Sequence, residues 1–103
     1  MNEKDVVVIH PYLKIKRLYK ESDLIEAEKL TEAIKLIPLE SQSVGLNKIN
    51  PKTYINSGFI KNLREKLQSK KADIIFFNCN LSPIQQRNLE TEVKCKVIDR
   101  TGL

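Results

Sequence analysis

Two unbroken apolar runs stand out along the chain against three stretches in which apolar residues recur every three or four positions. Asp5–Ile9 (DVVVI) and Asp73–Phe77 (DIIFF) are continuous, β-branched or aromatic, and free of interleaved polar residues. Such runs predict strands covered on both faces, as in a parallel sheet. After Ser22, the residues Ala27, Leu30, Ile34 and Ile37 recur at helical spacing, with Glu28, Lys29, Glu32 and Lys35 turned away. Asp23 with Glu26, or Ser22, fits the start of that helix, and Pro38 cannot continue it. Asn56–Gly58 (NSG) opens a second helix whose apolar stripe is Phe59, Ile60, Leu63 and Leu67. A third begins at Ser82. Pro83 takes its first position, Gln85 completes an S-x-x-Q capping box, and Leu89 and Val93 supply later core contacts.

The weaker segments are read by the same rules. Tyr12–Glu21 is basic and reads mostly as loop or an irregular lead-in to the first helix. From Leu39 to Ile49, Leu39, Ser41, Ser43 and Gly45 alternate with Glu40, Gln42, Val44 and Leu46. Neither face is strongly apolar, which suits a short strand near a sheet edge. Thr53–Ile55 reads as extended after an Asn-Pro turn, and Lys96–Ile98 as a last short strand. The order β-α-β-(β)-α-β-α-β predicts an α/β fold: a small, mostly parallel sheet of about four strands with helices packed on its faces.

Length and composition narrow this further. At 103 residues and 41% hydrophobic content, residues 1–103 form one α/β domain without room for a second core. No apolar run approaches the roughly 20 residues of a membrane helix, and the N-terminus lacks a signal-peptide pattern. Cys79 and Cys95 are far apart and outside any metal-ligand pattern, and the chain has one histidine. No structural metal is expected, and reduced thiols in a cytoplasmic protein follow. Eighteen basic residues against 13 acidic give a net charge of +5, compatible with a polyanionic partner or with a merely basic surface. On the second helix, Lys61 and Arg64 lie one turn apart, with Lys70 and Lys71 beyond its end. These are candidate RNA contacts, or a solvated helix face.

In parallel sheets, ligands sit beyond the carboxyl ends of the strands. Those positions hold His10-Pro11-Tyr12, Thr53–Gly58, Asn78-Cys79-Asn80 and Asp99-Arg100-Thr101. NSG at a helix start suits an anion or an ordinary cap. His10 has no nucleophile partner at a recognisable spacing and reads as a loop or packing histidine. Cys79 reads as a structural thiol. Neither G-x-x-x-x-G-K-[ST] nor G-x-G-x-x-G occurs, so this chain is not expected to be an enzyme.

Three segments carry a resemblance. PKTYINSGFIKNL, LSPIQQRNLE and KVIDRTGL occur in the order and approximate spacing found in the N-terminal domain of HflX-type GTPases. The family reads approximately P-x-T-Y-I-G-S-G-K, L-S-P-x-Q-Q-R-N-L-E and V-x-D-R-T-x-L in those places. Asn56 stands where the family usually has glycine and Phe59 where it usually has lysine. GLNKIN replaces a basic cluster, so that only Lys48 remains there. The resemblance implies the N-terminal α/β domain of a ribosome-associated GTPase that acts on the large ribosomal subunit and dissociates stalled ribosomes. In the family a helical segment and a GTP-binding domain follow; GTP and Mg belong to that domain, and no cofactor is expected in this chain.

The resemblance thus implies a ribosome-binding or domain-docking module, with the large subunit, its RNA and the downstream domains as partners. Its motif surface is Thr53, Tyr54, Ser57, Gly58, Gln85, Gln86, Arg87, Asn88, Asp99, Arg100 and Thr101. A small-molecule or nucleotide (ATP or GTP) site at the strand ends, or a pure scaffold, are the alternatives. One motif residue carries a structural expectation of its own. Gln86 lies three and seven residues before Leu89 and Val93, on the stripe that should be buried. A buried amide needs partners, and TYINSG or DRTG would supply them.

Overall fold

The computed structural model describes residues 4–14 and 21–102. Strand β1 (Lys4–Leu13) leads to helix α1 (Glu21–Ala33), β2 (Leu36–Leu46), α2 (Ser57–Lys70), β3 (Ile74–Phe77), α3 (Pro83–Val93), β4 (Lys96–Asp99) and a 3-10 turn, Arg100–Gly102. The four strands form one sheet in the order β2-β1-β3-β4, with every pairing parallel. The expected α/β architecture is the observed one.

The two apolar runs lie side by side at its centre. Val6, Val7, Val8 and Ile9 have no exposed surface, and Ile74–Phe77 are buried throughout. Because side chains alternate across a strand, Val7, Ile9, Ile75 and Phe77 pack with Ile60, Leu63, Leu67, Leu89 and Val93 of α2 and α3. Val6, Val8, Ile74 and Phe76 pack with Leu24 and Ala27 of α1 on the opposite face. The molecule is therefore a three-layer sandwich, with two helices on one face and one on the other.

Several elements depart from the sequence reading. β1 continues through His10 and Pro11 to Leu13 because β2 pairs with it along its whole length. β2 is an edge strand as expected, but it is longer and contains Pro38. An edge position tolerates the missing N–H, and the register shifts by one residue just beyond it, between Val6 and Val7. Thr53–Ile55 is no strand: Tyr54 takes a left-handed backbone (φ 68°) in a tight turn closed by Asn50.

Helix α1 starts at Glu21, ahead of the Ser22 and Asp23 caps expected for it, and the residue before it lies outside the described ones. Its buried positions are Ala27 and Thr31, with Leu24 packed beside them. Leu30, Ile34 and Ile37 remain 40–45% exposed. The left-handed Lys35 (φ 68°) ends the helix and sends Ile37 into β2. The third helix follows its sequence in detail. Ser82 accepts from the Gln85 N–H and the Gln85 carboxamide accepts from the Ser82 N–H, with Pro83 at the first position.

Candidate functional site

The order β2-β1-β3-β4 has a topological consequence. The chain leaves β1 toward one edge and returns on its other side at β3, so the crossovers diverge at the carboxyl ends of β1 and β3. A crevice is expected there. The structure has one, of about 530 Å³, lined by His10, Tyr12, Tyr54, Asn78, Cys79 and Arg100 among others. An adjoining chamber of about 180 Å³ lies between His10, Asn78 and Arg100 and the Asp23, Glu26 and Leu30 side chains of α1. All four expected strand-end groups contribute to the crevice or its supports.

Within it, Asn78 Nδ2 lies 3.0 Å from His10 Nδ1 and His10 Nε2 lies 4.0 Å from Asp23 Oδ2. Burial lowers the His10 pKa, opposed by the Asp23 carboxylate and aided by the Arg100 guanidinium. The ring is therefore chiefly neutral at pH 7. Its folded pKa lies below its unfolded one, so the stability it contributes is present above about pH 6.5 and is lost as pH falls through the lowered value. In His10→Gln the urea midpoint should fall less between about pH 7 and pH 5 than in the parent chain. Equal slopes would remove His10 as the titrating group.

Buried Cys79 and half-buried Tyr54 line the crevice together. Burial, reinforced by the Asp99 carboxylate, pushes the Cys79 thiol up to about 12. Tyr54 is raised as well, first by burial. A thiol held protonated in this way is no nucleophile. Cys95 is also free, its sulfur directed at the Asp73 carbonyl, 3.1 Å away. Among the described residues no group of His, Cys, Asp and Glu is arranged to hold a metal ion, and no helix is long and apolar enough to cross a membrane.

The motif residues converge beside this crevice, largely by bonding to one another's backbones. Gln85 Nε2 donates to the Asn50 carbonyl (3.0 Å) while its oxygen completes the cap of α3. Asn88 donates to the Lys52 carbonyl (3.0 Å). These two amides thus hold both ends of the 50–52 turn. Asp99 is buried, and its Oδ2 accepts from the Leu81 N–H (2.7 Å) and the Thr101 hydroxyl (2.8 Å). Thr53 donates to the Ile55 carbonyl at 2.7 Å.

Gln86 donates to the Val97 carbonyl (2.8 Å), in β4 rather than in TYINSG or DRTG. The loop-directed amide is Gln85, the more deeply buried of the two. Helical spacing from Leu89 and Val93 points at both residues, so the sequence could not choose between them.

Other motif residues face outward. Ser57, Gly58, Arg87, Arg100 and Thr101 are exposed, as is Ile84 (64%) one turn before Arg87. Asn56 caps α2 by accepting from the Phe59 N–H (2.8 Å). Its φ of −75° needs no glycine. Lys61 and Lys70 are exposed on α2, as is Lys71, which caps its carboxyl end. Arg64 instead donates to the Glu92 carbonyl and carboxylate at 2.8 and 3.0 Å, tying α2 to α3. Lys66 pairs with Glu40 of β2 at 2.6 Å.

A family described as "GTP-binding GTPase N-terminal" matches residues 21–103. The chain is 31% identical to GTPase HflX of Escherichia coli over 100 residues, covering 97% of this chain and 23% of that protein. It is 36% identical to GTPase HflX of Treponema denticola, covering 85% and 22%. With the same enzyme from Magnetococcus marinus identity is 43%, over 61% of this chain and 15% of that protein. The chain thus spans less than a quarter of these relatives. Among solved structures, unliganded arylmalonate decarboxylase shares the fold at TM-score 0.57 and 12% identity, over 96% of this chain and 42% of that one.

Proposed function

Since the chain belongs to the HflX GTPase family, in which it corresponds to the N-terminal domain, we propose that it is the ribosome-binding and domain-docking module of an HflX-like GTPase. On this reading it acts on the large ribosomal subunit in the cytoplasm, in the splitting or rescue of ribosomes. GTP and Mg are bound by a GTPase domain outside this chain, and this chain itself catalyses nothing. Its partners are ribosomal RNA and the helical and GTPase domains of the parent protein.

Gly58 is the observation that carries the reading. It is exposed, its φ is not positive, and a Cβ placed on it would meet only the Asn56 Oδ1, at an ordinary 3.6 Å. Nothing among the described residues requires a glycine there, and the missing side chain leaves room for a partner to approach the start of α2 closely. Around it, Lys52, Thr53, Ser57, Lys61 and Arg64 line a groove of about 320 Å³. The inward amides Gln85 and Asn88 fix that surface, while Ile84, Arg87 and Lys61 are presented outward. An exposed isoleucine between cations suits a partner with both apolar and phosphate surface.

Two changes test this. Gly58→Ala should raise stability by roughly 0.5 kcal/mol and yet weaken co-sedimentation with large ribosomal subunits. Reversing Lys61, Lys70 and Lys71 to glutamate should abolish it at moderate salt. The salt dependence in the parent chain should have a log–log slope near −0.7 to −0.9 per phosphate contacted. Absence of co-sedimentation even at low salt would overturn the reading.

A further inference from the structure

The crevice at the ends of β1 and β3 is not accounted for by a docking surface, which lies around α2 and α3. Its volume of about 530 Å³ falls within the range of small-molecule sites. The charges around it are unusual in their arrangement. Arg100 projects from the 3-10 turn beyond β4; its backbone N–H donates to the Cys79 carbonyl (3.2 Å), while its guanidinium has no ion pair among the described residues. Asp23 enters from α1, its side chain 39% exposed, with Glu26 one turn behind it. Arg100 and Asp23 both border the two connected chambers, and both act on the His10 ring, with opposite sign.

A cation and an anion that flank one cavity without bonding to each other define a dipolar site. Unpaired charges facing a cleft are stabilised by a ligand carrying the complementary pair. Between them, Asn78 and the neutral His10 offer a donor and acceptor set. Apart from Asn80, the remaining wall is largely apolar: Leu13, Ile49 and the rings of Tyr12 and Tyr54. Tyr54 is set there by its left-handed backbone, a conformation uncommon for a bulky residue and characteristic of functional loops.

A nucleoside triphosphate does not match this environment. It would bring several negative charges to one guanidinium beside two carboxylates. No glycine-rich turn lines the crevice to offer successive N–H groups. The ligand that matches carries one positive and one negative charge on a small scaffold with an apolar body.

We propose that this crevice binds a small zwitterion, an α-amino acid with an apolar side chain. Arg100 takes the carboxylate, Asp23 the ammonium group, and Leu13, Ile49 and the two tyrosines the side chain. His10 and Asn78 fix the orientation between the charges.

The test is a titration of the ¹⁵N-labelled chain with L-leucine and L-phenylalanine, alongside isoamylamine, 4-methylvalerate and ATP. Saturable shifts confined to the amides that line the crevice, those of residues 12–13, 23, 49, 54, 78–80 and 100–101, are expected with the amino acids. Removing either ligand charge should weaken binding about tenfold or more. Arg100→Gln should lower affinity for leucine by a similar factor while leaving isoamylamine unaffected. Asp23→Asn should do the converse with 4-methylvalerate. Both residues have exposed side chains, so unchanged thermal melts separate loss of the site from loss of the fold. The proposal is overturned if neither amino acid gives saturable shifts at millimolar concentration. It is equally overturned if an analogue with a single charge binds as tightly, or if ATP is the preferred ligand.

Discussion

Asp99→Ala will cost the domain about 2–4 kcal/mol, more than any other polar substitution considered for this chain. The carboxylate is 4% exposed and its Oδ2 accepts from two donors, the Leu81 N–H at 2.7 Å and the Thr101 hydroxyl at 2.8 Å. Hydrogen bonds to an ionised acceptor contribute roughly twice as much as neutral ones. Truncation also leaves a half-buried backbone N–H without its partner. Because Leu81 immediately precedes the cap of α3, its N–H is where β4 fixes the start of that helix. Asp99→Asn keeps an acceptor without the charge and should lose about half as much. It should also let the Cys79 pKa fall, since the Asp99 carboxylate holds that thiol up. Urea denaturation gives the first quantity and the pH dependence of thiol alkylation the second. An Asp99→Ala midpoint indistinguishable from the parent's would show that the contact contributes nothing.

The parts of this structure legible in the sequence are those decided locally. Ser82, Pro83 and Gln85 specify a helix start from within four residues, and the structure contains that capping box complete. DVVVI and DIIFF could hardly be anything but central strands, because no polar residue interrupts either run. The strand-end groups were legible once the sheet was taken as parallel. Their chemistry was not. That Asp23 faces His10, and that Arg100 faces both from beyond β4, depends on strand order, which composition and spacing leave open.

The first helix shows a different failure. Helical spacing gives its period but not its full phase. Thr31 is polar in type, yet it is fully buried, its hydroxyl satisfied by the Glu28 carbonyl one turn back at 2.7 Å. A threonine that closes its own hydrogen bond presents a methyl group to the core. Leu24, Ala27 and Thr31 therefore face the sheet, and Leu30 and Ile34 look outward.

That phase has a measurable consequence beneath the same helix, and it sets the largest expected effect in the molecule. Phe76→Ala should destabilise the chain by about 3–5 kcal/mol, a large fraction of the stability of a domain this size. The ring has no exposed surface and packs with Val6, Val8, Ile74 and Ala27. Among the described residues α1 is the helix on that face, and the side chains it buries completely there, Ala27 and Thr31, are small, so little can move in to fill the void. By contrast, Leu30→Ala and Ile34→Ala should each cost less than about 1 kcal/mol, since both side chains already contact water. Each kcal/mol is worth roughly 4–8 °C in Tm at this length, so thermal melts separate the two classes without ambiguity. Comparable losses at Leu30 and Phe76 would mean that α1 is turned by about one residue from the orientation described. The same rotation would carry Asp23 away from His10. The melts thus test the frame on which the crevice depends as well as the core beneath it.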